Sequence, residues 1–426
     1  MPSITVQVFE HTTVRVGEPL RTSTGGEHAL GAAEHRALAS FADGTADRYL
    51  SCGRRTVRFG SYVGVLQLGD LSLEILPKAD RSEAGGHGRW HRALVHMLRV
   101  VGDLGLESQD EAQLRLDPGR LFDLFIQHFL DECERLVHQG LAKGYRTEEG
   151  NRTAFRGRLL VPEHARRNAV NAARFYVASP VYDHRNLPNL ALHEALRLLD
   201  ALPISAGARA RARGIRHAFP ELPAWRPDMA ALERVRLTRN TTRYRAALKL
   251  ARLILFQLAP DVRSGRAPFL ALLFDMNALW ERYIAALARR LRLPGVEVRT
   301  QDSRAFWRLG GKARPLRPDI TLRHPGRESP LVVIDTKWKL PAGGQPSSAD
   351  IKQMFCYHEL FDCQTSLLLY PAPKGATRLG DTGRYVGRDH RCVPVFLGLD
   401  GDPASDLAGV LTQAIPAGAD NLKAIK

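Results

Sequence analysis

Two segments of this 426-residue chain place carboxylates on short strand-like runs. The first is Arg317-Pro318-Asp319-Ile320-Thr321-Leu322. After a polar turn comes Leu331-Val332-Val333-Ile334-Asp335-Thr336-Lys337-Trp338-Lys339. Side chains alternate along a strand, so Asp335 and Lys337 emerge on one face, with Ile334, Thr336 and Trp338 on the other. An unpaired charge in so apolar a strand is costly. A divalent cation held between Asp319 and Asp335 offsets that cost, and carboxylates on rigid strands are suitable hard ligands for Mg²⁺ or Mn²⁺. Such a site can cleave phosphodiesters, because the metal lowers the pKa of a bound water and stabilises transition-state charge. Lys337 would then orient the attacking water or neutralise the scissile phosphate. Only ten of the 61 basic residues are Lys, so a lysine at this position points to a compact ammonium rather than a guanidinium fork. Without a metal, the same residues read as an edge-strand ion pair.

Three more residues extend the constellation. Glu281 lies on a helix ahead of the first carboxylate strand, where it could bind metal through water or hold a second ion. A salt bridge with Arg282, Arg289 or Arg304 is the alternative. Downstream, Asp350-Ile-Lys-Gln353-Met-Phe-Cys-Tyr357 puts Gln353 and Tyr357 at i and i+4 on one helix face. An amide and a phenol on one face can position a phosphate and steady the lysine; otherwise they are a helix surface packed on the sheet.

The elements that must hold these groups follow an α/β order. The pattern predicts a helix over Met276–Leu293, stopped by Pro294-Gly295, and strands at Val296–Val298, Asp319–Leu322 and Leu331–Lys339. A helix at Ala349–Leu360 and apolar strands at Ser366–Tyr370 and Cys392–Leu397 follow; such runs suit a sheet covered on both faces. Upstream, residues 1–80 read as β-rich. Ile4–Phe9 and Val57–Tyr62 alternate, and Tyr62–Leu68, Gly69-Asp70 and Leu71–Leu76 make a hairpin signal. A short helix fits Glu34–Ala42, and Glu83–Gly88 is a breaker-rich link. Helices are predicted at Arg92–Val101, Leu121–Leu141, Ala191–Leu202 and Tyr244–Leu258. An Arg-rich segment, Arg209–Arg213, falls between the last two, and residues 145–182 read as partly β. The expected division is 1–85, 86–265 and 266–426.

Lys and Arg outnumber Asp and Glu by 61 to 45, a net +16. Arg makes up 51 of the 61 basic residues, so part of this excess is a compositional bias. The distribution says more: residues 141–245 hold 20 Lys and Arg against 9 Asp and Glu, a local balance of +11. That favours an acidic partner, nucleic acid first. Hydrophobic residues at 44% and charged residues at 25% are ordinary for a folded chain and exclude a disordered or collagen-like one. No apolar run approaches a membrane span, and the opening residues show no secretory signal pattern. The five cysteines (Cys52, Cys133, Cys356, Cys363, Cys392) lack a CxxC pair, which suits free thiols in a reducing cytoplasm. The spacing of Cys356, His358 and Cys363 suits no common zinc motif.

Glu281, Pro318-Asp319, Asp335-x-Lys337 and Gln353-x-x-x-Tyr357, in this order and on these elements, resemble the PD-(D/E)xK nuclease superfamily, the last element its RecB-like branch. Phe59–Leu68 with Ile75–Lys78, Phe155-Arg-Gly-Arg158 and Phe274–Glu281 resemble the McrC family, over roughly residues 57–400. The resemblance implies an N-terminal β-rich docking region, a mostly helical basic middle and a C-terminal restriction-endonuclease-like α/β domain. It implies Mg²⁺-dependent cleavage of double-stranded, modified DNA within a cytoplasmic restriction system active in phage defence. The implied partner is a McrB-like hexameric AAA+ GTPase whose hydrolysis the chain stimulates. Metal ligation is implied for Asp319, Asp335 and Glu281, and catalysis for these with Lys337, Gln353 and Tyr357. Arg48, Arg54, Arg55, Arg58, Lys78 and Arg81 are candidates for the GTPase-stimulating residue. The segment Tyr182–Asn189 is more basic than the family pattern, which leaves the recognised modification open. The chain has no G-x-x-x-x-G-K-[ST] phosphate loop, since Gly310-Gly311-Lys312 fails that spacing, so GTP belongs to the partner. The rival readings are a stand-alone RecB-like exonuclease, a non-catalytic adaptor that stimulates an AAA+ motor, and a basic protein that binds DNA only electrostatically.

Overall fold

The computed structural model describes residues 4–22, 25–44, 47–68, 71–77, 87–102, 120–171, 173–200, 202, 204–258, 269–372, 377–399 and 401–415. Helices and sheets alternate in a mixed α/β architecture. Strands Ile4–Phe9, Leu71–Leu76, Tyr62–Leu68 and Phe269–Asp275 follow one another in a four-stranded sheet, so the two runs expected to form a hairpin are neighbours. Their Gly69-Asp70 turn lies outside the described residues, as do Lys78, Arg81 and most of the Glu83–Gly88 link. Among the described residues, no helix is long and apolar enough to cross a membrane.

The chain divides into two units: Met1–Thr5, Val65–Ser72 and Gly119–Leu272 in one, and Val6–Gly64, Leu73–Pro118 and Leu273–Lys426 in the other. In the first, helices Arg120–His138, Leu187–Leu199, Ala206–His217 and Arg245–Leu253 pack together. Phe125, Phe129 and Cys133 recur at helical spacing and are buried, as are Leu192 and Leu196. Buried Tyr244 accepts from the Ala142 amide at 2.7 Å and donates to Asn189 Oδ1 at 2.8 Å, so its hydroxyl is satisfied.

The Arg209–Arg213 segment, expected between helices, lies inside the helix Ala206–His217. Ala and Arg are both strong helix formers, and Ala208, Ala212 and Ile215 fall at i, i+4 and i+7 on a buried stripe. Arg211 reaches Glu134 at 2.7 Å, Asp131 at 2.6 Å and Gln127 at 3.0 Å; Arg213 and Arg216 share Asp200. Part of the basic charge in 141–245 is therefore structural. Three antiparallel strands complete this unit, in the order Arg158–Leu159, Phe175–Asp183, Gly144–Arg152. Gly157 turns there at φ 92°, and a Cβ would stand 2.3 Å from the Ala178 carbonyl oxygen, so only glycine fits between the strands.

The second unit is built on a seven-stranded sheet. Its path runs Glu297–Thr300, Ile320–Arg323, Val332–Thr336, Thr365–Ala372, Arg391–Gly398 and Arg378–Leu379, with Gly383–Arg384 also pairing to Arg391–Gly398. The first three strands are antiparallel, with Ile320 opposite Ile334. The next pairings are parallel, with Asp335 beside Leu368. A parallel neighbour needs a crossover, and helix Ser348–Phe361 supplies it. Its Met354, Tyr357 and Phe361 pack with Val333, Leu368, Tyr370, Cys392 and Phe396 of the sheet. Helix Met276–Arg290 packs on Val332–Thr336 and on helix Pro403–Ala414, and its Trp280 donates to the Leu369 carbonyl at 3.3 Å. Strand Thr365–Ala372 is buried along its whole length, as the unbroken apolar run led one to expect. In the same unit, Thr13–Arg15, Thr56–Phe59 and Leu50–Cys52 form a small antiparallel sheet under helix Ala32–Gly44.

All five cysteines are free thiols. His358 is buried; its Nε2 lies 2.8 Å from Ser366 Oγ and its Nδ1 against the Cys363 carbonyl. With Nδ1–H donating to that carbonyl, Nε2 accepts from the serine, which is the neutral imidazole. Burial lowers the His358 pKa, the Cys363 carbonyl opposes this, and stacked His390 adds to the lowering. A histidine kept neutral in the fold costs stability as pH falls below the ordinary value of 6.5, because only the unfolded chain then takes up the proton. The melting temperature is expected to fall over that acid range, and the fall to be shallower in His358→Asn. Parallel slopes in thermal melts of the two proteins would assign the acid sensitivity to other groups.

Candidate active site

The site grows from the junction of two antiparallel strands and the crossover helix. The first carboxylate strand is Ile320–Arg323, one residue later than expected, so Asp319 sits just ahead of it. The second is Val332–Thr336, and it stops short of the expected Lys339. The ladder still continues by one bond, because the Lys337 amide donates to the Leu369 carbonyl at 2.8 Å. Alternation therefore survives at Lys337, and its Nζ lies 2.6 Å from Asp335 Oδ2.

Asp335 is 1% exposed. Its buried Oδ2 has the Lys337 ammonium as ion-pair neighbour but no well-aligned hydrogen-bond donor. Burial holds the Asp335 carboxyl above its ordinary range, and repulsion from Asp319 adds to this; Lys337 works in the opposite direction. Lys337 also donates to Gln353 Oε1 at 3.0 Å. The Gln353 amide passes the contact on, donating to the Tyr357 hydroxyl at 2.9 Å and approaching Asp335 Oδ1 at 3.4 Å. The Tyr357 hydroxyl donates a hydrogen bond to the Arg317 carbonyl at 3.0 Å. The i, i+4 pair expected on the helix thus closes over Asp335 and Lys337, with Gln353 holding the ammonium and Tyr357 tying the helix to the backbone just before Asp319. The second lysine of the run, Lys339, pairs with Asp350 at 2.6 Å instead. There Asp350 forms the capping box of the crossover helix.

Two residues that the motif pattern did not single out complete the arrangement. Thr336 donates twice to Asp319 Oδ2, from its amide at 2.6 Å and from its hydroxyl at 2.7 Å. Gln301 adopts a left-handed backbone, φ 61°, donates its amide to the Asp319 carbonyl at 3.3 Å, and hydrogen-bonds Glu281 through its side chain. Glu281 is therefore held by an amide. Two of the arginines considered for it go elsewhere, Arg289 to Thr300 and Arg304 to the Leu360 and Glu328 carbonyls. Burial raises the Glu281 pKa and Asp319 raises it further, so it faces the same negative centre. Glu281 also lines an open groove of about 570 Å³ together with Arg282, Arg289 and Gln301.

The donor set fits a hard divalent cation. It offers two carboxylates from adjacent strands, a buried oxygen lacking an aligned donor, and a mutual repulsion that positive charge would relieve. Among the described residues no three His, Cys, Asp or Glu side chains gather closely enough to hold a metal. The direct ligands would be Asp319 and Asp335, in keeping with an ion that takes few carboxylates and keeps waters.

Residues 57–371 match the family model of the McrBC 5-methylcytosine restriction system component. No individually curated protein matches the chain. Among solved structures, the fold is similar to a chain of a Thermococcus gammatolerans assembly of McrB AAA+ hexamers with bound McrC. That match has a TM-score of 0.67 and 19% identity, covering 96% of this chain and all of the other. A second match, to the Thermococcus gammatolerans McrBC complex, has a TM-score of 0.47 and 20% identity, covering 67% of this chain and 88% of the other.

Proposed function

Because the chain belongs to the McrBC 5-methylcytosine restriction system component family, we propose that it is the subunit that cuts DNA, in complex with a McrB-like hexameric AAA+ GTPase whose hydrolysis it stimulates. The observation that carries this reading is the closed chain of contacts from buried Asp335 through Lys337 and Gln353 to Tyr357. A surface ion pair has no need of a buried carboxylate beside a second one, or of a lysine locked from above by an amide. The structural likeness to a McrC-bound assembly supports the fold on which the reading rests.

Asp319 and Asp335 would hold Mg²⁺ or Mn²⁺, which when bound supplies an activated water and neutralises charge developing on the phosphoryl group. Lys337 presents an ammonium beside Asp335, placed to contact a non-bridging phosphate oxygen or to orient the incoming water. Gln353 fixes the direction of that ammonium, and Thr336 fixes the Asp319 carboxylate. Glu281, held above its usual pKa by burial and by Asp319, would take or relay a proton. Phosphate-loop chemistry is left to the partner.

The test combines the purified chain with its McrB-like partner, GTP, and duplex DNA with or without 5-methylcytosine. Cleavage is expected with Mg²⁺ or Mn²⁺ and should disappear on chelation or when this chain is left out. DNA degradation from ends by the chain alone, with no effect of partner or GTP, would replace the reading by that of a stand-alone exonuclease.

A further inference from the structure

We propose that the two-stranded ribbon Arg304–Leu309 and Lys312–Leu316 is a DNA-binding arm that lies in a groove of the duplex and holds it at the metal site. This rests on the reading of the chain as a DNA-cleaving subunit.

The ribbon stands outside the main sheet, its two strands pairing only with each other. Consecutive glycines, Gly310 at φ 54° and Gly311 at φ 78°, make the tight turn whose twist suits a two-residue hairpin. Between its ends every residue is exposed. Phe306 is 56% exposed, Trp307 45% and Leu309 68%. Large apolar groups clustered on a projecting element mark a contact surface. The register slips between Ala305 and Trp307, leaving Phe306 as the unpaired residue of a bulge, a device that re-aims a side chain beside functional sites.

The charge identifies the occupant. From residue 304 to 318 the chain carries Arg304, Arg308, Lys312, Arg314 and Arg317 and no Asp or Glu. That one-sidedness suits a phosphate backbone, whose charge is neutralised by Lys and Arg. The Arg314 guanidinium stands 5.5 Å over the Trp307 ring, which orients cation and aromatic together. Six residues of strand span about 20 Å, and a two-stranded ribbon fits a major groove about 12 Å wide. Cations then meet the flanking phosphates, and Phe306 and Leu309 meet base edges.

The base of the arm is rigid and is joined directly to the site. Arg304 donates to the Leu360 and Glu328 carbonyls and lies 4.8 Å over Phe361. Leu316 packs on the core beneath the crossover helix. Only Arg317 and Pro318 separate the arm from Asp319, and the Arg317 carbonyl is pinned by Tyr357.

The test measures binding of a fluorescein-labelled DNA duplex across a salt series, using the full chain in an Asp335→Asn background, alone and with the partner ring. Arg308→Ala with Lys312→Ala is expected to flatten the slope of log affinity against log salt by about 0.9 for each phosphate no longer neutralised. Phe306→Ala is expected to lower affinity at every salt with the slope unchanged. All three positions are exposed, so the variants fold. Unchanged affinity and slope in both variants overturns the inference, as does absence of duplex binding by the parent in either form. Unchanged DNA binding together with impaired stimulation of the partner's GTP hydrolysis also overturns it, making the ribbon a protein-docking element. The cleavage assay is read separately: cutting retained in Asp335→Asn defeats the nuclease reading, whatever the ribbon binds.

Discussion

Asp335→Asn is expected to lower DNA cleavage by about 10³-fold or more and to leave the melting temperature unchanged or raised. The two halves of this expectation come from the same surroundings. The native carboxylate is buried, faces Asp319, and is held above its ordinary pKa for both reasons, so its charge is a cost to the apo fold. Asparagine keeps the shape and removes the charge. It also leaves Gln353 and its hydrogen bond from Lys337 in place. On the proposed reading, what it removes is one of two anionic ligands, and with it the means of holding a divalent ion. Lys337→Ala should abolish cleavage on a similar scale while partner binding and GTPase stimulation persist. Its melting temperature should fall, because a buried carboxylate then has no counter-charge. Retained cleavage in either variant would sink the assignment. A large drop in stability in Asp335→Asn would instead mean that the pair is structural, the edge-strand reading of the same residues.

Much of this could be read from the residues because strand alternation is local. Asp335 and Lys337 share a face whatever surrounds them, and Gln353 and Tyr357 share one on any helix. The Ile320–Arg323, Val332–Thr336 and Ser348–Phe361 elements appear within a few residues of where periodicity placed them. The partners of those side chains depend on register and backbone, which the pattern does not carry. Thr336 meets Asp319 because Ile320 pairs with Ile334, a fact of strand pairing. Gln301 holds Glu281 from a left-handed conformation that its residue type does not announce. Arg209–Arg213 carries no clear helix signal in the sequence because its buried stripe is made of Ala and Ile at long spacing, a weak apolar pattern. The ribbon at 304–316 escaped for the opposite reason. Its apolar residues face solvent, and its bulge breaks the alternation that marks a strand.

Thr336 gives the most direct test of that missing layer, because only the structure gives it a role. Its hydroxyl and its amide both donate to Asp319 Oδ2. Thr336→Val keeps the shape, the strand propensity and the amide bond, and removes the hydroxyl alone. One donor fewer leaves the carboxylate less firmly oriented, and outer-shell partners of metal ligands typically contribute 10–100-fold to metal affinity or activity. Cleavage at limiting Mg²⁺ is therefore expected to fall about 10–100-fold, with much of the activity recovered at high Mg²⁺. Thr336→Ser restores the hydroxyl and should restore the native metal requirement, which a purely packing role would not do. The measurement is the Mg²⁺ concentration for half-maximal cleavage in all three proteins. A Val variant that titrates like the native chain would show that Asp319 is oriented by the backbone amide alone. A Val variant whose activity falls equally at every Mg²⁺ concentration would place Thr336 in the handling of DNA, and Asp319 would then no longer stand as a ligand tuned from the neighbouring strand.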